Sequence, residues 1–533
     1  MSEQLPTADN FARRNLPPEN LWPDIINLDR FGYPERLNCV AALLDSAVAE
    51  GHGERLCLRS EDIGWSYAET QAQVNRIANF LVNELELLPG ERVMLGGPNS
   101  PMLAACWLAV VKAGGIAVAT MALLRSGELT TIAEKAQVRL ALCDAGVADA
   151  YSAAADEASS LRIVVTFNGG ELNEAMEQQS PHFHPVDTAA DDVCLIAFTS
   201  GTTGNPKGCI HFHRDIMTIC ATVGRDLLKV TPDDMVIGSP PLAFTFGLGG
   251  LLLFPLYARA TAIMLEKPSP ANLAEAIRSF KATVCFTAPT AYRAMLLEKD
   301  KYDFSSLRVT VSAGEALPKA IYDGWLDATG IRMVDGIGAT ELLHIFISAA
   351  GDEIRPGAIG RPLPSWEARI VDAHGKDLPD GEVGGLLVRG PVGCRYLDDP
   401  RQANYIVGGW NSTGDAFMRD ADGYYWFQSR ADDLIISSGY NIAAPEVEGA
   451  LLRHAAVAET AVVGIPDVER GSVVKAFVVV TPGVSSDETL VASIQAHVKE
   501  IIAPYKYPRV IEFVDALPKT DTGKIQRYKL RDQ

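Results

Sequence analysis

The 533-residue chain is too long for one hydrophobic core, so we expect a large domain with subdivisions and at least one smaller domain. Hydrophobic residues make up 47% and charged residues 21% of the chain, an ordinary globular composition that excludes disorder as the main theme. The formal net charge of -20 at pH 7 disfavours binding to nucleic acids and anionic membranes, because such a surface repels polyanions.

The first half of the chain alternates amphipathic helical runs with short apolar strands. Helices are predicted over residues 67–85 and 102–113, and strands over residues 92–96, 116–119, 140–143, 163–166 and 194–198. This alternation predicts an α/β sandwich with largely parallel sheets. The most apolar stretch, residues 101–121, contains Lys112 and two adjacent glycines, which favours a buried helix and strand over a membrane span.

The pattern of predicted elements changes in the second half of the chain. Glycine-punctuated strands at residues 367–371 and 385–389 predict a small β subdomain. Beyond residue 433 the pattern becomes α+β, with helices predicted over 444–453 and 490–502 and strands over 461–463 and 474–480. We therefore predict an α/β fold with an N-terminal domain over residues 1–431 and a mobile α+β lid domain over residues 432–533.

Targeting and cysteine patterns indicate a cytoplasmic protein. Residues 1–20 are polar and contain no apolar core of a signal peptide. The nine cysteines contain no C-x-x-C pair, so the sequence indicates neither a zinc ribbon nor a disulfide framework. We expect no membrane partner, and the sequence leaves a monomer and a homodimer open.

The sharpest motif is residues 199–208, Thr-Ser-Gly-Thr-Thr-Gly-Asn-Pro-Lys-Gly, directly after the strand at 194–198. Its hydroxyls, backbone N–H groups and ammonium can surround phosphate oxygens. It is not a Walker A loop, because Lys207 follows a proline and precedes a glycine. A surface turn rich in serine, threonine and glycine is the alternative interpretation.

This segment resembles the phosphate-binding signature of the adenylate-forming superfamily, which includes acyl-CoA and aryl-CoA synthetases, nonribosomal adenylation domains and luciferases. Further motifs of that superfamily follow in its order, so the resemblance covers nearly the whole chain. It implies that ATP is bound by the loop residues Thr199, Ser200, Gly201, Thr202, Thr203, Gly204 and Lys207.

Two further segments resemble nucleotide-binding motifs of the superfamily. Residues 336–341, Gly-Ile-Gly-Ala-Thr-Glu, resemble the aromatic-Gly-x-Thr-Glu motif and imply that Thr340 bonds the α-phosphate and Glu341 binds Mg2+. A glutamate is a hard oxygen ligand that suits this cation. Residues 312–318 resemble the segment that lines the adenine and acyl sites, which implies nucleotide contacts from Gly314 and Glu315. Alone, residues 336–341 would be interpreted as a strand-end turn with a solvated acid.

The remaining motifs lie near the predicted lid. The resemblance implies that Asp415 and Arg430 bond the ribose, and that Lys524, in a Thr-Gly-Lys-Ile context, acts at the α-phosphate during adenylation. An ammonium at that position would stabilise the charge that accumulates there. The lid is implied to turn about Asp432, after which Gly439 lines the coenzyme A channel. A linker acid is the alternative for Asp432.

Residues 240–249 and 335–346 are similar to those of benzoate-type CoA ligases, and within that group residues 208–214 and 242–248 look most like 2-aminobenzoate-CoA ligases. The resemblance implies an aryl-acid pocket lined by Ala243, Phe244, Phe246, Ala313, Gly338, His344 and Ile345. Read without the family, His344 is a satisfied structural histidine. Its role as a reader of the substrate therefore stays open.

The predicted reaction is ATP-dependent formation of an aryl-adenylate and pyrophosphate, followed by an aryl-CoA thioester and AMP. The expected acid is 2-aminobenzoate or benzoate, and the expected cofactors are ATP, Mg2+ and coenzyme A. Another small aryl acid such as salicylate is an alternative. An adenylation enzyme that loads a carrier protein is a further alternative, although no carrier segment with an attachment serine is visible. A non-catalytic nucleotide sensor would be expected to lack Lys524 or Glu341.

Overall fold

A computed structural model describes residues 8–199, 206–430, 434–437, 440–467, 471–502, 504–519 and 525–531. The chain divides into two compact units, of which the first comprises Met1–Glu367 and Val388–Asn411, and the second Ala368–Leu387 and Ser412–Gln533. Asp432 lies outside the described residues. The division into domains 1–431 and 432–533 therefore stays a prediction.

The first unit contains a six-stranded sheet built mainly from the predicted apolar strands. In spatial order its strands are Ile163–Phe167, Leu140–Asp144, Arg92–Gly96, Ile116–Thr120, Val193–Thr199 and Lys207–Phe212. All neighbours are parallel except the last two, which are antiparallel. The five predicted strands are confirmed. The last strand begins at Lys207, where the motif had suggested a continuing loop.

A nine-stranded sheet also belongs to the first unit. In spatial order its strands are Arg361–Pro362, Ile345–Ser348, Val334–Gly338, Val309–Ser312, Val284–Thr287, Met235–Gly238, Thr261–Ile263, Leu56–Arg59 and Gly64–Ser66. Ser312 pairs with Asp335 across two parallel strands. The segments that follow these two strands therefore leave the same edge of the sheet, and both carry predicted nucleotide motifs.

Two of the longer helices of the first unit begin at serine caps. The helix Tyr67–Asn83 starts at Ser66, which forms a reciprocal capping box with Glu69. The helix Pro101–Lys112 starts at Ser100 and is buried along its length. The other described α-helices of this unit are Phe11–Arg14, Ser126–Ala136, Ala148–Glu157, Glu171–Glu177, His213–Ile219, Thr245–Leu248, Phe254–Ala258, Pro270–Phe280, Pro289–Leu297, Lys319–Thr329 and Gln402–Tyr405. Among the described helices, none combines the length and the apolar character needed to cross a bilayer.

The later part of the chain has the predicted change to β and then α+β structure. Its strands are Glu367–Val371, Val383–Arg389, Ile406–Val407, Trp410–Arg419, Tyr425–Arg430, Leu434–Ser437, Tyr440–Ala443, Val457–Asp467, Gly471–Val480 and Val510–Phe513, and its helices are Ala444–Leu451, Glu488–Ile501 and Arg527–Arg531. The strands Val457–Asp467 and Val510–Phe513 flank Gly471–Val480. The two longer helices bury Val447 and Ile494 in a separate core of the second unit.

Candidate active site

The predicted phosphate loop connects two antiparallel strands of the first unit. Thr199, at the end of one strand, pairs with Lys207, at the start of the next. Ser200, Gly201, Thr202, Thr203 and Gly204 lie between them and outside the described residues. The structure thus fixes both ends of the loop and delivers the Lys207 side chain from a strand.

Lys207, which is half-buried, joins the buried residues Glu341 and Tyr396 in a polar cluster. The Lys207 ammonium donates to the Tyr396 hydroxyl at 2.7 Å and to Glu341 Oε1 at 3.2 Å. The same carboxylate oxygen accepts from the Tyr396 hydroxyl at 2.5 Å. Only 11% of the Glu341 side chain is exposed. A strand-end turn with a solvated acid is therefore not what the structure contains at this motif.

The Tyr396 hydroxyl stays protonated in this cluster. Burial, and next the Glu341 charge, raise the pKa of the Tyr396 phenol well above its usual value. A carboxylate only accepts hydrogen bonds and an ammonium only donates them. The phenol therefore donates to Glu341 and accepts from Lys207.

The backbone of Thr340 is held by a buried histidine. His211 Nε2 lies 2.7 Å from the Thr340 carbonyl oxygen, so this nitrogen carries the proton and donates. His211 is fully buried, and its Nδ1 lies 3.9 Å from Asp215. Burial raises the pKa of Asp215, but His211 and then Arg395 lower it to below its ordinary value. His211 thus has a structural role, because it positions the segment that carries Thr340 and Glu341.

Glycines allow close backbone approach around the predicted nucleotide and acid sites. Gly314, two residues after the strand Val309–Ser312, has a φ of 86°, a left-handed conformation that favours glycine. A Cβ on Gly338 would lie 2.8 Å from the His344 carbonyl group. A side chain at residue 338 would therefore displace the backbone of the predicted acid pocket.

His344 is an unpaired neutral imidazole in an aromatic environment. Only 3% of the residue is exposed, and among the described residues neither ring nitrogen has a partner at hydrogen-bonding geometry, although the Phe246 backbone lies near enough to oppose the effect of burial on the pKa. Burial lowers the pKa of His344 to about 3, so the ring is neutral near pH 7. Its centroid lies 4.7 Å from the Phe254 ring and 5.7 Å from the Phe246 ring. A Cβ on Gly249 would lie 2.5 Å from the imidazole, so this glycine makes room for the ring.

The two predicted gate phenylalanines have different surroundings. Phe246 packs edge to face against Phe286 at 5.6 Å and faces His344. Phe244 is 39% exposed and lies at the N-cap of the short helix Thr245–Leu248. Ala313 and Ile345 are buried. The remaining predicted pocket residue, Ala243, precedes Phe244 in the same segment.

The sequence profile described as AMP-binding enzyme matches residues 46–396, and the profile described as AMP-binding enzyme C-terminal domain matches residues 446–524. The chain belongs to the AMP-binding enzyme family. This membership confirms the predicted adenylate-forming superfamily and makes the protein an AMP-forming acid-thiol ligase that uses ATP and coenzyme A.

Individual relatives of this AMP-binding enzyme cover almost its whole length. It is 35% identical over 507 residues to a benzoate–CoA ligase of Thauera aromatica, covering 93% of this chain and 96% of that protein. It matches the structure of the anthranilate CoA ligase AuaEII in complex with anthranoyl-AMP with a TM-score of 0.87 and 35% identity, covering 94% and 98% of the two chains. A benzoate CoA ligase from Burkholderia xenovorans LB400 matches with a TM-score of 0.83 and 30% identity, covering 93% and 100%. The predicted fold class and the benzoate-CoA ligase group are confirmed.

The second unit of this AMP-binding enzyme carries the predicted ribose, coenzyme A and lid residues. Asp415 is buried and pairs through its backbone with Arg430. Ser437 and Tyr440 pair on either side of residues 438–439, so Gly439 lies outside the described residues. Asp432 and Lys524 also lie outside them. Their predicted roles stay predictions.

Three residues of the site region were missed by the sequence reasoning. Tyr396 lies in the segment Gly-Cys-Arg-Tyr, which has no motif spacing that points to the loop. Lys135 donates to the Pro206 carbonyl at 2.9 Å, immediately before Lys207. Asn99 donates to the Pro240 carbonyl at 2.9 Å and accepts from the Leu242 amide at 2.8 Å, which fixes the start of the gate segment. For Asn99, the only sequence signal of a site residue was its place shortly after the predicted apolar strand 92–96.

A cysteine-histidine cluster lies apart from these contacts. The potential ligand atoms of Cys39, Cys194 and His213 lie within 4.8 Å of one another, and all three residues are buried. The sequence had indicated no such group. His213 Nδ1 accepts the Cys39 amide at 3.2 Å, so the lone pair that a metal would need is already engaged. This favours a structural role for His213 over a role as a metal ligand.

Proposed function

We propose that this enzyme is an aryl-acid:CoA ligase whose acid is 2-aminobenzoate or benzoate. It forms an aryl-adenylate with release of pyrophosphate and then an aryl-CoA thioester with release of AMP. The observation that carries the choice of acid is His344, a buried neutral imidazole with two unpaired nitrogens among the described residues. The relatives that act on benzoate and anthranilate support the same choice.

The ATP site of this proposal is built on Lys207, Glu341 and the loop between Thr199 and Lys207. Lys207 provides a cation at the end of the loop, where triphosphate oxygens need one. Thr340 follows the same sheet edge as Gly314 and Glu315, whose segment is proposed to line adenine. Asp415 and Arg430 are proposed to bond the ribose, and Lys524 the reacting α-phosphate.

Glu341 fits the requirements of a magnesium ligand. It offers a buried carboxylate, which is a hard oxygen donor, next to the ammonium that would face the same triphosphate. A bound Mg2+ would neutralise part of the triphosphate charge. Within the described residues, hydrogen bonds reach only Oε1 of this carboxylate, which leaves Oε2 for coordination.

The acid pocket suits a flat ring with one polar substituent. Phe246 and Phe254 supply apolar contacts, while His344 supplies one donor and one acceptor in its neutral form. Unsatisfied buried polar groups cost about 1–3 kcal/mol each, so a ligand group that bonds the imidazole would recover that cost. An ortho amino group has both the donor and the acceptor capacity for this contact. Salicylate offers a hydroxyl at the same place and remains the second candidate.

The second half-reaction is proposed to follow rotation of the lid about Asp432. The coenzyme A thiol arm would then pass Gly439, where the absence of a side chain leaves room for it. Loading of a carrier protein would use the same adenylate. The proposal is free coenzyme A because the relatives described above are a benzoate–CoA ligase and an anthranilate CoA ligase.

A panel of benzoates tests this proposal. Each acid is supplied with MgATP, with and without coenzyme A, and pyrophosphate, AMP and thioester are measured. We expect 2-aminobenzoate and benzoate to have the highest kcat/KM and thioester to form only with coenzyme A. A marked preference for aliphatic acids over every benzoate would contradict the aryl-acid proposal, and adenylate formation without any thioester would favour a carrier protein.

Replacing His344 with alanine is expected to lower kcat/KM for 2-aminobenzoate more than for benzoate, by a differential of about tenfold. The differential corresponds to one buried hydrogen bond, which benzoate cannot make. Because His344 is neutral, the ratio between the two acids should be flat between about pH 6 and pH 8. Steady-state kinetics of the wild type and the variant with both acids measure the ratio of the two kcat/KM values.

The matched control for this variant is Phe254→Leu. It alters the packing on the imidazole ring but leaves its nitrogens in place, so both acids should lose activity in parallel. If His344→Ala also shows a parallel loss, then His344 acts only through packing.

A further inference from the structure

Tyr396 occupies a central position in the Lys207–Glu341 pair. Tyr396 is fully buried. Its hydroxyl group makes the shortest side-chain hydrogen bond of both Lys207 and Glu341. The Lys207 ammonium also lies 4.7 Å from the centre of the Tyr396 ring. The ring and the hydroxyl thus both hold the cation beside the carboxylate.

The segment that carries Tyr396 is paired to the strand that carries Lys207. The Leu397 amide donates to the Gly208 carbonyl at 2.8 Å, and Cys209 forms an antiparallel bridge with Tyr396. The Tyr396 amide donates to the Gln402 side chain at 2.9 Å. These contacts fix the position of the Tyr396 phenol relative to the Lys207 side chain.

A second brace joins the same two segments through a side chain. Lys135 donates to the Pro206 carbonyl at 2.9 Å and to Asp399 Oδ2 at 2.7 Å. Asp399 is further held by Arg401. Pro206, directly before Lys207, and Asp399, three residues after Tyr396, are therefore tied to one lysine, which limits how far the phenol can move away from the carboxylate.

The two oxygens of Glu341 are not equivalent in this arrangement. Oε1 accepts from both Tyr396 and Lys207. In the part of the chain that the structure describes, no hydrogen bond reaches Oε2. A carboxylate with one oxygen engaged has one remaining direction in which to bind a cation.

We propose that Tyr396 is a positioning residue for the MgATP step, whose hydroxyl engages Glu341 Oε1 and so leaves Oε2 directed at a divalent cation. The inference rests on the proposed assignment of Glu341 as the metal ligand. When ATP enters, Lys207 exchanges part of its contact with Glu341 for phosphate oxygens, and the Tyr396 hydrogen bond keeps the carboxylate oriented. Tyr396 itself touches no substrate in this role.

The test is Tyr396→Phe, which removes the hydroxyl and keeps the ring. Adenylate formation is followed by pyrophosphate release while the concentrations of ATP and of Mg2+ are varied. We expect kcat/KM for MgATP to fall about tenfold and the half-saturating Mg2+ concentration to rise. KM for the acid should stay within about twofold, and turnover of presynthesised aryl-adenylate with coenzyme A should be unchanged.

Tyr67→Phe is the matched control. It removes another buried tyrosine hydroxyl of the first unit, which donates to the Ala260 carbonyl at 2.8 Å. The control should change thermal stability but not the dependence on Mg2+. A Tyr396→Phe variant that loses stability while keeping the wild-type Mg2+ dependence would overturn the inference.

A double-mutant cycle with Glu341→Gln separates this inference from the function on which it rests. If Tyr396 acts through Glu341, the double variant loses little more MgATP activity than Glu341→Gln alone. Additive losses overturn the role of Tyr396. Unchanged MgATP kinetics in Glu341→Gln alone would instead overturn Glu341 as the metal ligand, and the inference about Tyr396 with it.

Discussion

Replacing Glu341 with glutamine is expected to lower kcat/KM for MgATP by about 100-fold, the upper range of one charge-assisted contact. The amide keeps the shape of the side chain but removes the charge that would coordinate Mg2+ and balance Lys207. The loss should appear in pyrophosphate release. KM for the acid and thioester formation from presynthesised aryl-adenylate should change little, because neither step uses the triphosphate.

Asp45→Asn is the control for removing a carboxylate beside a buried lysine. Asp45 Oδ1 lies 2.6 Å from the Lys112 ammonium, which is 1% exposed, in the same unit. Burial lowers the pKa of Lys112 even with this partner, so the variant should be less stable. Its MgATP kinetics should match those of the wild type. Unchanged MgATP kinetics in Glu341→Gln would contradict the proposal that Glu341 binds Mg2+.

The sequence predicted the local elements of the first unit well. Strands such as Arg92–Gly96 are short apolar runs bounded by turns, and such runs are typical of buried parallel strands. The order of strands in the sheets could not be read in the same way. Leu56–Arg59 pairs with Thr261–Ile263, about 200 residues away, and no local pattern encodes that pairing.

The candidate site also contains residues that a local motif predicts and residues that only long-range contacts reveal. Lys207 and Glu341 were predicted because each lies in a contiguous motif. Tyr396 was missed because it reaches Glu341 across 55 residues through the pairing of its segment with the strand Lys207–Phe212. His344 was predicted as a candidate, but its lack of partners depends on burial against Phe254 and Gly249, which the sequence alone does not contain.

The largest expected effect is that of Lys524→Ala, which should lower adenylate formation by about 100- to 1000-fold. This is the range for removing one donor that stabilises developing charge in a transition state. The neighbouring chain is anchored: Lys519 pairs with Ile525, and Arg527 contacts Glu448 at 2.8 Å. Ile525, which follows Lys524 in the sequence, is therefore held in place. Pyrophosphate release with saturating acid and MgATP measures the loss.

The same variant is expected to turn over presynthesised aryl-adenylate with coenzyme A at close to the wild-type rate, because the lysine is proposed to leave the site when the lid turns. Lys519→Ala is the matched control, since it removes a lysine of the same segment that pairs with Glu459 at 2.7 Å. That exposed pair should contribute little to either half-reaction. An equal loss of both half-reactions in Lys524→Ala would contradict the two-state lid, because a lysine that remained in the site would serve both steps.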